Sequence, residues 1–126
     1  MNGNKALMRV SISIYNNSSS TLNPVQGPDW FVFEDSGLVS INPYSTGSFV
    51  LDATDRTSTF SDDVYYAADT YDTNAPKFDF HFQCTIGYPL GLSVYGTAPS
   101  GFTCTLEKNA AIDYLNHEVV FKIDVV

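Results

Sequence analysis

Basic side chains are scarce in this chain. Six Lys and Arg stand against fourteen Asp and Glu, giving a net charge of −8. The six are scattered along the sequence and form no run. An acidic surface of this kind repels phosphate backbones, which excludes nucleic acid as a partner. It also disfavours anionic lipid, which recruits clusters of Lys and Arg. Any attachment to a membrane then rests on neutral lipids, on aromatic side chains or on a partner protein. Cysteine is almost absent, with only Cys84 and Cys104. Cys84 closes the Phe78-Phe80-Phe82 face and Cys104 is in phase with Phe102 and Leu106, so both should point inward. They read either as two buried free thiols or as one disulfide in an oxidising compartment. Without clustered histidines they make a poor zinc site. No stretch approaches the ~18 apolar residues that a spanning helix needs. Ser11 and Ser13 interrupt the apolar positions that follow Lys5 and Arg9, so the N-terminus lacks the unbroken core of a secretory signal and synthesis in a cytosol is expected.

What is present is a rhythm of two. Met8-Arg9-Val10-Ser11-Ile12-Ser13-Ile14-Tyr15 alternates apolar and polar residues, and the polar cluster Asn16-Asn17-Ser18-Ser19-Ser20 follows at once. The alternation puts Met8, Val10, Ile12 and Ile14 on one face of a strand. The same rhythm returns from Phe78 to Cys84 and from Val119 to Val125. It predicts antiparallel sheet with one wet face. Nine Phe, eight Tyr and one Trp suit pleated surfaces. Further strands are expected near Leu22, at Trp30–Phe33, Ser48–Leu51, Val64–Ala67, Leu92–Tyr95 and Phe102–Leu106. Asn23-Pro24 and Gly27-Pro28 read as breaks. Ala53 to Asp63 reads as a long polar surface loop, and Asn109 to Leu115 as one helical turn. The whole chain, residues 1–126, reads as a single domain. Its expected fold is all-β, an antiparallel β-sandwich of about eight to ten short strands, with a closed barrel as the other solution to this spacing.

Catalytic signals are weak. His81 lies two residues from Asp79 on the polar face of its strand, but no Gly-x-Ser-x-Gly elbow presents a serine to them. His117-Glu118 lacks the second histidine of a zinc helix. Asp52, Asp55, Asp62, Asp63, Asp69 and Asp72 fall around two expected loops without the spacing of a calcium loop, and read as a solvated acidic rim. Nothing sets a carboxylate pair at glycosidase distance. No enzyme, metal or cofactor is expected. Two overlapping glycosylation sequons at Asn16 and Asn17 read as turn chemistry. The aromatic residues are the stronger lead. Trp30 opens an apolar run, Tyr65 and Tyr66 are adjacent so that one must face outward, and Tyr88 sits between Gly87 and Pro89 in a loop. Such rings suit lipid headgroups, sugars or a protein surface. The candidate ligand residues are therefore Trp30, Tyr65, Tyr66 and Tyr88.

The order of these segments resembles the aegerolysins, and most of all their small insecticidal relatives. Val10 to Leu22 looks like that family's opening strand, Asn-rich turn and return. Gly27-Pro28-Asp29-Trp30 looks like its glycine-then-tryptophan segment, and Ile41-Asn42-Pro43-Tyr44-Ser45-Thr46-Gly47-Ser48-Phe49 its Ile-x-Pro entry to a strand. Val64-Tyr65-Tyr66 resembles its tyrosine strand, and Phe78 to Phe82 with the Gly/Pro loop after it the next. The chain departs from the family between Thr57 and Asp63, which contain no glycine where the family has a Thr-Gly-x-x-Gly type segment. The resemblance implies a sandwich similar to that of the actinoporins. It implies binding to membrane lipids, a neutral sphingolipid or a sterol, alongside a larger pore-forming protein partner. The protein would then be released, or deposited in inclusions, and act outside the cell. A lectin-like carbohydrate module and a crystal-forming structural protein are the competing readings. Near the isoelectric point of about 4.3 the mutual repulsion of the carboxylates vanishes. Self-association or membrane binding should therefore rise as the pH falls from neutral towards about 5, which sedimentation and vesicle binding across that range check.

Overall fold

The computed structural model describes residues 6–28, 31–33, 37–54, 60–85, 91–113 and 116–126. Within them the chain forms nine strands: β1 (Ala6–Asn17), β2 (Leu22–Gln26), β3 (Phe31–Phe33), β4 (Ser45–Thr54), β5 (Phe60–Ala68), β6 (Phe78–Thr85), β7 (Gly91–Thr97), β8 (Phe102–Ala111) and β9 (Asn116–Val125). One sheet has five strands in the order β3-β4-β1-β9-β8, the other four in the order β2-β5-β6-β7. The sheets face each other as a sandwich, as the alternation predicts.

Each strong rhythm in the sequence becomes one inward row. Met8, Val10, Ile12 and Ile14 of β1, Phe78, Phe80, Phe82 and Cys84 of β6, and Val119, Phe121 and Ile123 of β9 are all buried in one core. Aromatic contacts tie the sheets across it. Phe80 lies 4.9 Å from Phe121 between ring centroids, and Phe78 meets the ring of Phe102 edge-on at 5.1 Å. Burying such side chains stabilises by roughly 1.5–3 kcal/mol each.

Four expectations are corrected. The five-stranded sheet is mixed, because β1 pairs with β9 in parallel, from Arg9 opposite Asn116 to Asn17 opposite Asp124. A period of two tells which face a residue takes but not which way the neighbouring strand runs. Asn23-Pro24 does not break the chain. Pro24 lies within β2 at the sheet edge, where one side of the strand needs no donor, and the register slips between Pro24 and Gln26. The polar stretch from Ala53 to Asp63 is not all loop, since β4 runs to Thr54 and β5 begins at Phe60. Asn109 does not start a helical turn. Strand β8 continues to Ala111, and the amides of Ile112 and Asp113 both donate to the Asn116 carbonyl, which returns the chain into β9.

The first turn is held by a buried amide. Asn16 is inside the protein, and its Nδ2 donates to the carbonyls of Ser20 at 2.7 Å and Asn42 at 3.1 Å. Its Oδ1 accepts the Ser18 hydroxyl at 2.6 Å. The neighbouring Asn17 donates to Asp124 at 2.7 Å. Asn16 thus holds the turn, while Asn17 fastens the end of β1 to β9.

One close approach yields a test of the packing. A Cβ at Gly96 would stand 2.5 Å from the Cys104 sulfur and 3.0 Å from the Phe121 ring, whereas at Gly91 it would meet only Thr85 at 3.7 Å. Gly96→Ala should cost about 1–3 kcal/mol by overpacking. Gly91→Ala should be close to neutral. Urea denaturation of the two variants checks the contrast.

Candidate functional site

The pleat that buries the phenylalanines of β6 turns Asp79, His81 and Gln83 outward. Register brings their neighbours alongside. Asp63 of β5, His81 and Tyr95 of β7 form one cross-strand row, and Tyr65, Asp79 and Thr97 form the next. These two rows lie on the outer face of the four-stranded sheet.

Side-chain contacts organise the face. His81 Nδ1 lies 2.8 Å from Asp63 Oδ1. A carboxylate can only accept, so this nitrogen carries the hydrogen and donates. The imidazole also stacks on Tyr95, with centroids 4.7 Å apart and planes 20° from parallel. Tyr95 itself is 51% exposed. The carboxyl of Asp79 is raised to about 7, first by burial, then by a hydrogen bond with Asp63 and by that group's charge, with His81 pulling the other way. Its Oδ1 is buried and has no hydrogen-bond partner. The face thus holds a tyrosine ring braced from below, a second tyrosine and two coupled carboxyls, with no Lys or Arg in either row. It can stack against a ligand, attract a cation and accept hydrogen bonds from donors, and it disfavours anions.

The expected relay between Asp79 and His81 takes a different form. His81 pairs with Asp63 across the ladder, because the directly opposed residue on the next strand lies closer than one two places along the same strand. The acidic rim holds only in part: Asp69 and Asp72 are exposed in the connection after β5, Asp55 lies outside the described residues, and Asp52, Asp62 and Asp63 lie in strands. Asp52 lies in β4 and accepts from Arg9 Nε at 2.9 Å. Asp62 lies in β5, buried, with its Oδ1 accepting the Asp63 amide at 2.9 Å. Asp69 accepts the Thr21 amide at 2.8 Å. Among the described residues no three His, Cys, Asp or Glu side chains could hold a metal ion.

Of the four aromatic residues singled out in sequence, Tyr65 lies on the outer face opposite Asp79. Tyr66 faces the other way, a correction to its place among surface candidates. It is fully buried, meets Phe80 edge-on at 6.0 Å and donates its hydroxyl to the Val39 carbonyl at 2.9 Å. Burial drives its phenol well above the ordinary tyrosine value. Trp30 and Tyr88 lie outside the described residues. Tyr95 and Asp63 were missed. The Tyr95 signal was present, since it shares phase with Ser93 and Thr97 and opposes the inward Val94. The Asp63–His81 contact carries no local signal. Cys84 and Cys104 are free thiols, Cys84 buried and Cys104 partly so. Burial raises Cys84 and pushes Cys104 up to about 12, so neither is a ready thiolate.

Other exposed tyrosines occupy the end of the sandwich where β1 finishes and β4 starts. Tyr71 is 67% exposed, with its hydroxyl 3.1 Å from the Ser40 hydroxyl, and Tyr44 is 62% exposed. Tyr44 holds a φ of 54°, in the left-handed region that a bulky residue rarely takes.

The chain is similar in fold to a solved structure, IP-1A from Alcaligenes faecalis. The two superimpose with a TM-score of 0.55 over 93% of this chain and 91% of that one, at 11% sequence identity. At that identity the likeness carries the fold alone. No established protein family matches the chain, and no curated protein does. No helix among the described residues is long and apolar enough to cross a membrane.

The buried place of Tyr66 is directly testable. Tyr66→Phe keeps the ring and removes one hydrogen bond to Val39, so it should cost about 0.5–1.5 kcal/mol in urea denaturation. Tyr66→Ala should cost roughly 3–5 kcal/mol.

Proposed function

We propose that this protein is a non-enzymatic, membrane-lipid-binding component of the aegerolysin kind. In this reading it attaches to neutral membranes containing sphingolipid or sterol and acts beside a larger pore-forming partner. The observation that carries the reading is the half-exposed Tyr95 ring, braced by His81 on a rigid sheet face that also presents Tyr65 and the two carboxyls. A ring presented this way suits the headgroup level of a bilayer, where one edge is apolar and the hydroxyl stays wet. The carboxyls and the net charge of −8 favour the cationic end of a zwitterionic headgroup over an anionic surface. The exposed Tyr44 and Tyr71 are further interfacial rings of the same chemistry.

Vesicle co-sedimentation tests the reading. The protein should bind neutral vesicles containing sphingolipid or sterol better than vesicles of anionic phospholipid. Tyr95→Ala should weaken that binding about tenfold or more, a loss of ~1.4 kcal/mol. Its melting temperature should move by no more than about 4 °C, because the ring lies half outside. Absence of binding to every vesicle would defeat the proposal, as would binding that Tyr95→Ala leaves unchanged. Signal on a glycan array with none on vesicles would assign the face to carbohydrate.

A further inference from the structure

We infer that Asp63, Asp79 and His81 form a proton-operated latch between β5 and β6, which holds the Tyr95 face together at mildly acidic pH and loosens it as the pH rises. The latch rests on the proposed binding face and states how that face is regulated.

The geometry sets up the device. Asp63 opposes His81 directly, while Asp79 opposes Tyr65, so the two carboxyls are diagonal neighbours on one face. One oxygen of Asp63 is engaged by the imidazole at 2.8 Å. One oxygen of Asp79 is buried and unpartnered. With both carboxyls ionised, two like charges share a single imidazole, and a buried acceptor stays unsatisfied. One added proton lets the Asp79 carboxyl donate to Asp63. The repulsion then disappears: Asp79 and His81 join β6 to β5 through Asp63, and the His81 stack carries the join to Tyr95 of β7.

Among the described residues, no other charged group on this face can replace the proton. The outward residues of β5 add Tyr65, and those of β7 add Tyr95. Strand β2, on the far side of β5, has no titratable residue between Leu22 and Gln26. Asp62 shares the phase of the inward Val64 and Tyr66. Lys77, just before β6, donates to the Ala75 carbonyl at 3.3 Å.

The raised Asp79 carboxyl, at about 7 against a reference of 3.8, agrees in sign. A folded-state value above the unfolded one means that protonation favours the fold. The contribution is fully present below about pH 4 and is lost as the pH rises through about 7. Asp79 therefore adds stability as the pH falls from 8 to 5, whereas a salt-bridged carboxylate loses it. The declining self-repulsion of the remaining carboxylates acts on wild type and variant alike, so a comparison of the two isolates the latch.

The test has three arms. Carbon-detected titration of the side-chain carboxyls in the free wild-type protein should give Asp79 a midpoint near pH 7, with the His81 ring signals sensing the same transition. A midpoint near 4, the ordinary carboxylate value, would overturn the latch. Asp79→Asn keeps the shape and cannot ionise. Its stability lead over wild type at pH 8 should shrink steadily towards pH 5, and a constant difference would overturn the latch. Should that variant fail to fold, Asp63→Asn tests the same coupling by bringing the Asp79 midpoint down, and an unmoved midpoint contradicts it. On neutral sphingolipid vesicles the wild type should gain more affinity between pH 8 and pH 6 than Asp79→Asn gains. Binding that shows no difference between wild type and variant would contradict the regulatory role. If no vesicle is bound at any pH while Asp79 titrates near 7, the latch stands and the lipid reading falls.

Discussion

The rest of the molecule depends on three phenylalanines of one strand. Phe78, Phe80 and Phe82 point from β6 into the gap between the sheets, where Phe78 meets Phe102 at 5.1 Å and Phe80 meets Phe121 at 4.9 Å. These contacts lock β6 against β8 and β9 of the opposite sheet, and Tyr66 packs edge-on to Phe80 from the adjacent strand. A strand anchored on one face has no freedom to slip, because a shift of one residue would exchange buried for exposed side chains along its whole length. The outward positions of Asp79 and His81 are thus consequences of the core.

The same constraint explains why the candidate face is stiff enough to recognise a ligand. Its members sit on three hydrogen-bonded strands, and His81 is fixed by a carboxylate beside it and a tyrosine ring against it. Sites built on strands hold their geometry better than sites on loops. The acidity that argues against nucleic acid in the sequence acquires a location here, as two carboxyls meet on a face where the described residues place no basic partner beyond one imidazole. At the end of the sandwich, polarity is used differently. There the buried Asn16 amide joins the Asn16–Ser20 turn to the Asn42 carbonyl and satisfies backbone acceptors that strands leave open.

Much of the fold was legible because burial has a period. The rows in β1, β6 and β9 are plain in the alternation, and their number and spacing narrow the architecture to a sandwich or a closed barrel, between which the sheet pairing decides. What could not be read depends on partners distant in sequence. The parallel seam between β1 and β9 joins the first strand to the last, and no local pattern records it. Pro24 looked like a break because its strand's edge position is a property of the sheet. Asp62 and Asp63 looked like loop because strand propensity is weak for aspartate, yet ladder pairing overrides it. The site divides along the same line. One of Tyr65 and Tyr66 had to face outward, and the phase of Val64 identifies Tyr65. Tyr95 was visible by the same argument and was passed over. The Asp63–His81 contact, eighteen residues apart, needed the register.

The central claim is that the outer face of β5, β6 and β7 is where this protein meets a membrane. Site-resolved NMR of the wild-type protein with neutral sphingolipid bicelles tests it most directly. The account predicts that the signals of Tyr95, His81, Tyr65 and Thr97 shift together on adding bicelles. Arg9, Ser11, Ser13 and Lys122, on the outer face of the five-stranded sheet, should stay in place. Shifts centred on that opposite face, or no shifts at saturating bicelle, would contradict it.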